Sequence, residues 1–118
     1  MPEPVVWPQI RGRERDGNSI VLGLRLPREL AYFEGHFEDC PILPGVVQIH
    51  WAGLLFLREF DADLVLQRME VVKFKRLLVP EMEVTLQLDY DPERLRLAFH
   101  YRAGSVENSS GRLYWSKK

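Results

Sequence analysis

One long apolar run follows a loop rich in proline and glycine, and it constrains the fold more than any other feature of the chain. Residues 45–60 are apolar on nearly every side of a helical projection, which is typical of a helix surrounded by protein. Such a helix would be about 24 Å long. Pro44 suits its first turn, where the missing N–H removes a donor that has no helical partner. The sequence therefore predicts one buried helix that begins near Pro44.

The remaining segments alternate between apolar and polar residues, which is the period of half-buried strands. The predicted strands cover 5–10, 20–26, 65–79, 82–90, 95–102 and 106–115. A turn over 16–18 follows the first strand, and Pro27 ends the second. The alternation slips at Val71-Val72, which predicts a bulge or a strong bend in the strand after the helix.

This order of elements predicts an α+β fold in which a single helix must cover a whole antiparallel sheet. A sheet curved around that helix would satisfy both elements. The length of 118 residues, with 46% hydrophobic and 28% charged content, fits one soluble domain over residues 1–118. Such a small sheet leaves its edges open, so we expect a homodimer or a larger homo-oligomer.

Composition argues against several classes of partner and location. The formal net charge is -1, from 16 basic and 17 acidic residues, which argues against nucleic acid as a partner and against a polybasic membrane anchor. No apolar run reaches the roughly 18 residues that a membrane span needs. Cys40 is the only cysteine, so no intramolecular disulfide is expected, and the N-terminus lacks the basic and apolar regions of a signal peptide. We therefore expect a cytoplasmic protein.

A dense motif precedes the helix. It consists of Gly35-His36-Phe37, three further residues, and then Pro41-Ile42-Leu43-Pro44-Gly45. This motif resembles the signature of the hotdog-fold 3-hydroxyacyl-acyl carrier protein dehydratases of fatty acid synthesis, the FabZ and FabA type. The resemblance continues into residues 72–76 and 79–80, and the order of elements extends it over nearly the whole chain. The segment from Pro41 to Ala52 is most similar to the ApeI-like branch, which is found with aryl polyene and related pathways.

The resemblance implies a hotdog fold and a homodimer in which each active site lies between two protomers. The implied reaction removes water from a 3-hydroxyacyl thioester on an acyl carrier protein and yields the trans-2-enoyl thioester, without a metal or an organic cofactor. His36 would be the base that takes the proton alpha to the thioester. Gly45 would bring the free N–H groups of the helix to the thioester oxygen. Further substrate contacts are expected from Phe37, Ile42 and Pro44.

The chain departs from the family at the second catalytic position. The family places Glu or Asp on the helix at the position that His50 occupies here. A protonated imidazole can donate to the leaving hydroxyl or hold a water, but it cannot be a carboxylate. If His36 and His50 share one site, like-charge repulsion should keep at most one of them cationic and so divide them into base and acid. Gly53, on about the same helix face, should leave space beside His50.

Structural roles remain open for these residues. His50 would serve as core packing if it were buried in the helix. Independently of this, the alternative role of His36 is to cap a turn. Cys40 is expected to be a small packed residue rather than a nucleophile, and a zinc site from these three side chains matches no common ligand spacing. His100 lies on the polar phase of its strand and is expected to be solvated. The tryptophans are expected to be core or interface residues: Trp7, Trp51 and Trp115.

Two other functions remain open. One is a hotdog thioesterase or a hydratase that acts on coenzyme A esters. The other is a catalytically weak or silent acyl-binding subunit, paired in a hetero-oligomer with an active homologue that supplies the missing carboxylate.

An acidic carrier protein would dock on one of two basic rows, unless both rows are simply solvated strand faces. These rows are Lys73, Lys75 and Arg76, or Arg11, Arg13 and Arg15.

Overall fold

The computed structural model describes residues 3–34 and 41–118. In this part of the chain, six strands form one antiparallel sheet and one α-helix packs against it. The elements are β1 (Gln9–Asp16), β2 (Ser19–Arg25), a 3-10 turn (Ala31–Phe33), α1 (Gly45–Glu59), β3 (Leu64–Phe74), β4 (Glu83–Asp91), β5 (Arg96–Ala103) and β6 (Val106–Lys117). The strand order is β1-β2-β4-β5-β6-β3. The predicted α+β order is confirmed, and β1 and β3 form the two edges of the sheet.

The first strand lies further along the chain than predicted. Val5 makes only an isolated bridge with Leu30, and β1 instead runs through the charged segment to Asp16. The strand is exposed along most of its length, because an edge strand can pair through its backbone without burying an apolar face. The predicted turn is confirmed, since Gly17 has a φ of 60° between β1 and β2, a conformation that suits glycine.

The predicted bulge in the strand after the helix is confirmed. The pairing of β3 with β6 shifts between Glu70 and Lys73, and Val71 has a φ of 48°, which is rare for a β-branched residue. Glu70 pairs with Arg112 before the shift, and Lys73 pairs with Ser110 after it. Three residue steps on β3 therefore match two steps on β6, so every side chain beyond the bulge changes face.

The helix begins where predicted, with Pro44 at its N-cap, but it is not surrounded by protein. One face packs on the sheet through buried residues that include Trp51 and Phe56. On the opposite face Val46 is 73% exposed, and His50 and Leu54 are exposed as well. The prediction of a helix covered on all sides is therefore wrong for the single chain, because the sheet covers only one face. We call this uncovered side the open helix face. No helix among the described residues is long and apolar enough to cross a membrane.

A buried polar cluster ties α1 to the sheet. Gln48 is 4% exposed; its Nε2 donates to the Leu43 carbonyl at 3.1 Å, and its Oε1 accepts from the Ser109 hydroxyl at 2.6 Å. The Tyr101 hydroxyl donates to the backbone carbonyl of Gln48 at 2.7 Å. Burial raises the pKa of Tyr101 well above its ordinary value, so the phenol remains a donor. Each polar group of this cluster thus has the partner that burial requires.

Ser109→Ala should lower the free energy of unfolding by about 1–3 kcal/mol, because it leaves the Gln48 Oε1 buried without its donor. The matched control is Ser110→Ala, since this neighbouring half-buried residue lies outside the cluster; its change should stay within about 0.5 kcal/mol. Urea denaturation of both variants measures the difference. Equal losses in the two variants would contradict this account of the cluster.

Candidate active site

The predicted catalytic loop lies outside the described residues. His36, the predicted base, and Phe37, a predicted substrate contact, both fall within 35–40, as does Cys40. Their roles stay predictions. The described part of the motif leads directly into α1, and it places Ile42 and Gly45 in one pocket.

This pocket, which we call the helix pocket, has a volume of about 360 Å³. Its lining residues are Ile42, Leu43, Gly45, Gln48, Phe74, Lys75, Arg76 and Leu77. The N–H groups of Val47 and Gln48 donate to the Pro44 carbonyl, whereas those of Gly45 and Val46 have no acceptor within the helix. The helix pocket therefore combines largely apolar walls with the N–H of Gly45, which has no acceptor among the described residues, at the positive end of the helix dipole.

The ring of Phe74 lies directly over Gly45. A side-chain carbon at position 45 would come within 2.5 Å of Phe74 Cζ, so only glycine allows this approach. Phe74 is 52% exposed and forms one wall of the helix pocket. Phe74 was not predicted to be a site residue, although it lies in the 72–76 segment that carries the resemblance.

His50 lies one helical turn beyond Val46, on the open helix face. Its ring stacks on Trp7, with centroids 6.3 Å apart and planes at 21°. Trp7 belongs to the N-terminal segment, which Trp51 anchors by donating its indole N–H to the Val6 carbonyl at 3.0 Å. His50 is exposed, so its interpretation as a core packing residue is wrong. Its catalytic role stays a prediction.

An apolar groove of about 320 Å³ runs beside His50, between α1 and β3. Its lining residues are Ile49, His50, Gly53, Leu54, Leu57, Leu64, Val65, Leu66 and Trp115. Gly53 and His50 therefore border the same open space, as predicted. A side-chain carbon at Gly53 would meet Trp115 at 3.4 Å, which is ordinary van der Waals contact, so the indole packs closely against this turn of the helix. Exposed apolar surface of this kind is typical of an interaction site.

A third depression crosses the outer face of the sheet. It has a volume of about 430 Å³, and we call it the basic groove. Its lining residues are Val71, Lys73, Lys75, Arg96, Ala98, His100, Glu107, Ser110, Gly111 and Arg112. Lys73, Ser110 and His100 lie side by side on three neighbouring strands. Lys75 lines both the basic groove and the helix pocket, so the two are adjacent there.

Among the described residues, Glu107 is the only carboxylate that lines the basic groove. Its oxygens lie 2.6 Å from His100 Nδ1 and 2.9 Å from Lys75 Nζ. Hydrogen bonds with His100 and then Lys75 lower the pKa of Glu107 to about 2. The expectation that His100 is merely solvated is therefore wrong, because its ring is half-buried and holds this carboxylate.

The other predicted basic row makes structural contacts. Arg13 Nε lies 2.5 Å from the Glu59 carboxylate. Arg15 donates to the carbonyls of Glu59 and Gly17, and its guanidinium lies 4.4 Å from the centre of the Phe60 ring. These contacts join Arg13 and Arg15 of β1 to the C-terminal end of α1, whereas Lys73 forms no ion pair with the described residues.

A six-stranded antiparallel sheet curved around one helix defines a hotdog-fold protein. The ApeI dehydratase family matches residues 12–112, which is most of the chain. The chain therefore belongs to the ApeI-like dehydratases, and dehydration is its general chemistry. The resemblance found in the motif is confirmed at the level of fold, family and branch.

Solved structures support this assignment. The dehydratase heterocomplex ApeI:P from Xenorhabdus doucetiae matches with a TM-score of 0.90 and 27% identity, over 95% of this chain and 100% of that chain. An uncharacterized protein from Erwinia carotovora subsp. atroseptica matches with a TM-score of 0.83 and 25% identity, over 95% and 98% of the two chains. A protein from Helicobacter felis shares the fold at 12% identity, with a TM-score of 0.65 over 87% and 83%. No curated protein matches the chain.

Glu107→Gln should make the protein less sensitive to acid. The folded pKa of Glu107 is about 2, below its ordinary value of 4.5, so the carboxylate stabilises the fold above the unfolded pKa and this stabilisation is lost as the pH falls toward 2. The groups that face it are His100, Lys75 and, at 3.9 Å, Arg102. The melting temperature of the wild type should therefore fall more between about pH 5 and pH 2 than that of the variant.

The control for this experiment is Glu93→Gln, since Glu93 is exposed in the turn before β5 and its carboxylate makes no ion pair with the described residues. Thermal denaturation across the acid range compares the three proteins. A Glu107→Gln curve parallel to those of the wild type and the control would contradict the assignment.

Proposed function

We propose that the chain removes water from a 3-hydroxyacyl thioester carried by an acyl carrier protein, in a fatty acid or aryl polyene-type pathway. Membership of the ApeI-like dehydratases supports the reaction class. The observation that carries the thioester proposal is the helix pocket, where the N–H of Gly45 lies at the start of α1 beneath the ring of Phe74. Such a donor stabilises the oxygen of a thioester as its alpha proton is removed.

The proposed mechanism assigns one task to each group. His36 takes the proton from C2, and the electron pair of that bond forms the double bond between C2 and C3. The N–H of Gly45 holds the negative charge that develops on the thioester oxygen. His50, as an imidazolium, gives its proton to the 3-hydroxyl, which leaves as water with the electrons of the C3–O bond. Phe37, Ile42 and Pro44 are proposed substrate contacts.

We propose that His36 and His50 of one site come from different protomers, in a homodimer or in a hetero-oligomer with a homologue. The open helix face exposes His50 together with apolar residues, and β3 is an unpaired edge on which Val65, Leu66 and Met69 are each more than 40% exposed. An apolar edge strand of this kind invites pairing with another chain. The similar solved structure from Xenorhabdus doucetiae is itself a heterocomplex.

Leu54→Asp should weaken this association, because it places a carboxylate on the open helix face. The matched control is Val106→Asp, since Val106 is similarly exposed but lies at the β5–β6 turn. Sedimentation velocity should show the wild type and the control as dimers or larger and Leu54→Asp shifted toward the 13.9 kDa monomer. A monomeric wild type that is nevertheless fully active alone would overturn the two-protomer site.

Mass spectrometry of a 3-hydroxyacyl-loaded acyl carrier protein tests the reaction, since dehydration removes the mass of one water. His36→Ala should lower the rate about 10²- to 10⁴-fold, because it removes the base. His50→Leu should also lose activity, whereas His50→Glu should keep a measurable rate because it restores the family's usual carboxylate. His100→Gln is the control histidine variant and should turn over a short pantetheine thioester at the wild-type rate.

A second candidate, a silent acyl-binding subunit, is favoured by the exchange of the family's carboxylate for His50. It predicts no turnover by this chain alone and no effect of His36→Ala on the activity of a complex with an active homologue. A rate that depends on His36 in the isolated protein would exclude it. Turnover that is unaffected by both His36→Ala and His50→Leu would end the mechanism proposed above.

A further inference from the structure

The basic groove concentrates positive charge on one face of a chain whose net charge is -1. Its fixed cations are Lys73, Lys75, Arg96 and Arg112, against one carboxylate, Glu107. The contacts with His100 and Lys75 already occupy that carboxylate. Among the described residues, neither Lys73 nor Arg112 forms an ion pair, although Arg112 lies opposite Glu70 in the β3–β6 pairing and is attracted to its carboxylate. Two cations therefore remain available to an anionic partner.

The bulge at Val71 places Lys73 on the outer face. Without the extra residue, the alternation from Glu70 would point Val72 and Phe74 outward and would turn Lys73 toward the core. With the bulge, Lys73 pairs with Ser110 and Phe74 pairs with the buried Ser109. The bulge in β3 thus places Lys73 in the basic groove and Phe74 over the helix pocket.

The floor of the basic groove is formed by small residues, Ala98, Ser110 and Gly111, while longer basic side chains flank them. The groove is also adjacent to the helix pocket at Lys75. If a partner binds in the basic groove, a flexible arm attached to that partner can therefore enter the helix pocket beside Lys75 and reach Gly45. The row of Arg11, Arg13 and Arg15 does not line the helix pocket.

We propose that the basic groove is the docking surface for an acidic face of the acyl carrier protein, and that the carrier's thioester arm passes Lys75 and Phe74 to reach Gly45. This inference rests on the proposed function and identifies where its partner binds. Complementary charge across such a surface accelerates association and orients the partner, and it is weakened by salt. Lys73 and Arg112 are then docking residues that take no part in the chemistry.

The test compares a groove variant, Lys73→Glu with Arg112→Glu, with a control variant, Arg11→Glu with Arg94→Glu. Both pairs replace two cations by two carboxylates, so the net charge changes equally, and Arg11 and Arg94 lie outside the groove. Fluorescence anisotropy measures the binding of holo-acyl carrier protein without an acyl group, so that binding is observed without turnover. The groove variant should bind about tenfold more weakly or worse, and the control variant like the wild type.

Kinetics supply the second measurement. With a carrier-bound 3-hydroxyacyl substrate, the groove variant should show a raised KM and an unchanged kcat, and the effect of salt on KM should be smaller than in the wild type. With a short 3-hydroxyacyl pantetheine thioester, all three proteins should have the same rate, because this substrate does not use the docking surface. That result would also show that the groove variant is folded.

Several outcomes would overturn the inference. One is equal carrier affinity in all three proteins, and another is no carrier binding by the wild type. A third is a raised KM for a coenzyme A ester with unchanged carrier affinity, which would assign the groove to the phosphates of coenzyme A. A fourth is groove-dependent binding of a single-stranded oligonucleotide in place of the carrier. Groove-dependent carrier binding without turnover of any substrate would instead refute the dehydratase proposal and leave the docking surface standing.

Discussion

The bulge at Val71 in β3 determines which side chains point to each face of the sheet at this edge. Val71 takes a left-handed conformation with a φ of 48°, which costs of order 1–3 kcal/mol in a β-branched residue. In return the strand changes phase, so that Phe74 turns inward over Gly45 while Lys73 turns outward. A regular strand would instead have turned Lys73 toward the helix side of the sheet and Phe74 toward its outer face. The packing of the inward ring and the pairing with β6 keep the strained backbone in place.

The helix depends on the sheet in a different way. Gln48 could not be buried without its partners, and these come from Leu43 before the helix and from Ser109 and Tyr101 on two strands. This cluster holds the first turns of α1, and therefore the N–H of Gly45 in the helix pocket, at a defined place over the sheet. A candidate oxyanion site gains from such preorganised donors, because no reorganisation is needed when charge develops.

The open helix face accommodates a histidine at position 50, where the resemblance to the FabZ and FabA type implies a carboxylate. His50 is exposed in the single chain and stacks on Trp7, so either an imidazole or a carboxylate can be accommodated there without the cost of burying an unpaired charge. Association with a second chain would then bring this side chain into a site. The exchange is therefore a question of chemistry at the site rather than of the stability of the single chain.

Local features of the sequence determined much of the fold. The start of α1 at Pro44 and the turn at Gly17 follow from residues whose backbone preferences act over a few positions. The bulge near Val71 follows instead from the slip in the alternation of apolar and polar residues. The alternation of apolar and polar residues predicted β2 and the strands after the helix, because one face of a half-buried strand meets the core and the other meets solvent. The motif around Gly45 led to the family, and the structure placed Gly45 and Ile42 in one pocket.

The tertiary structure alone decided which distant residues meet. The bounds of β1 differ from the prediction because an edge strand can pair through its backbone without an apolar pattern. The open helix face was not predicted because the sheet of one chain covers only one side of α1. Phe74 reaches Gly45, and Trp7 reaches His50, through contacts between segments far apart in the sequence. Such contacts depend on strand order and on the path of the chain over the helix, and no local preference of an amino acid encodes either of them.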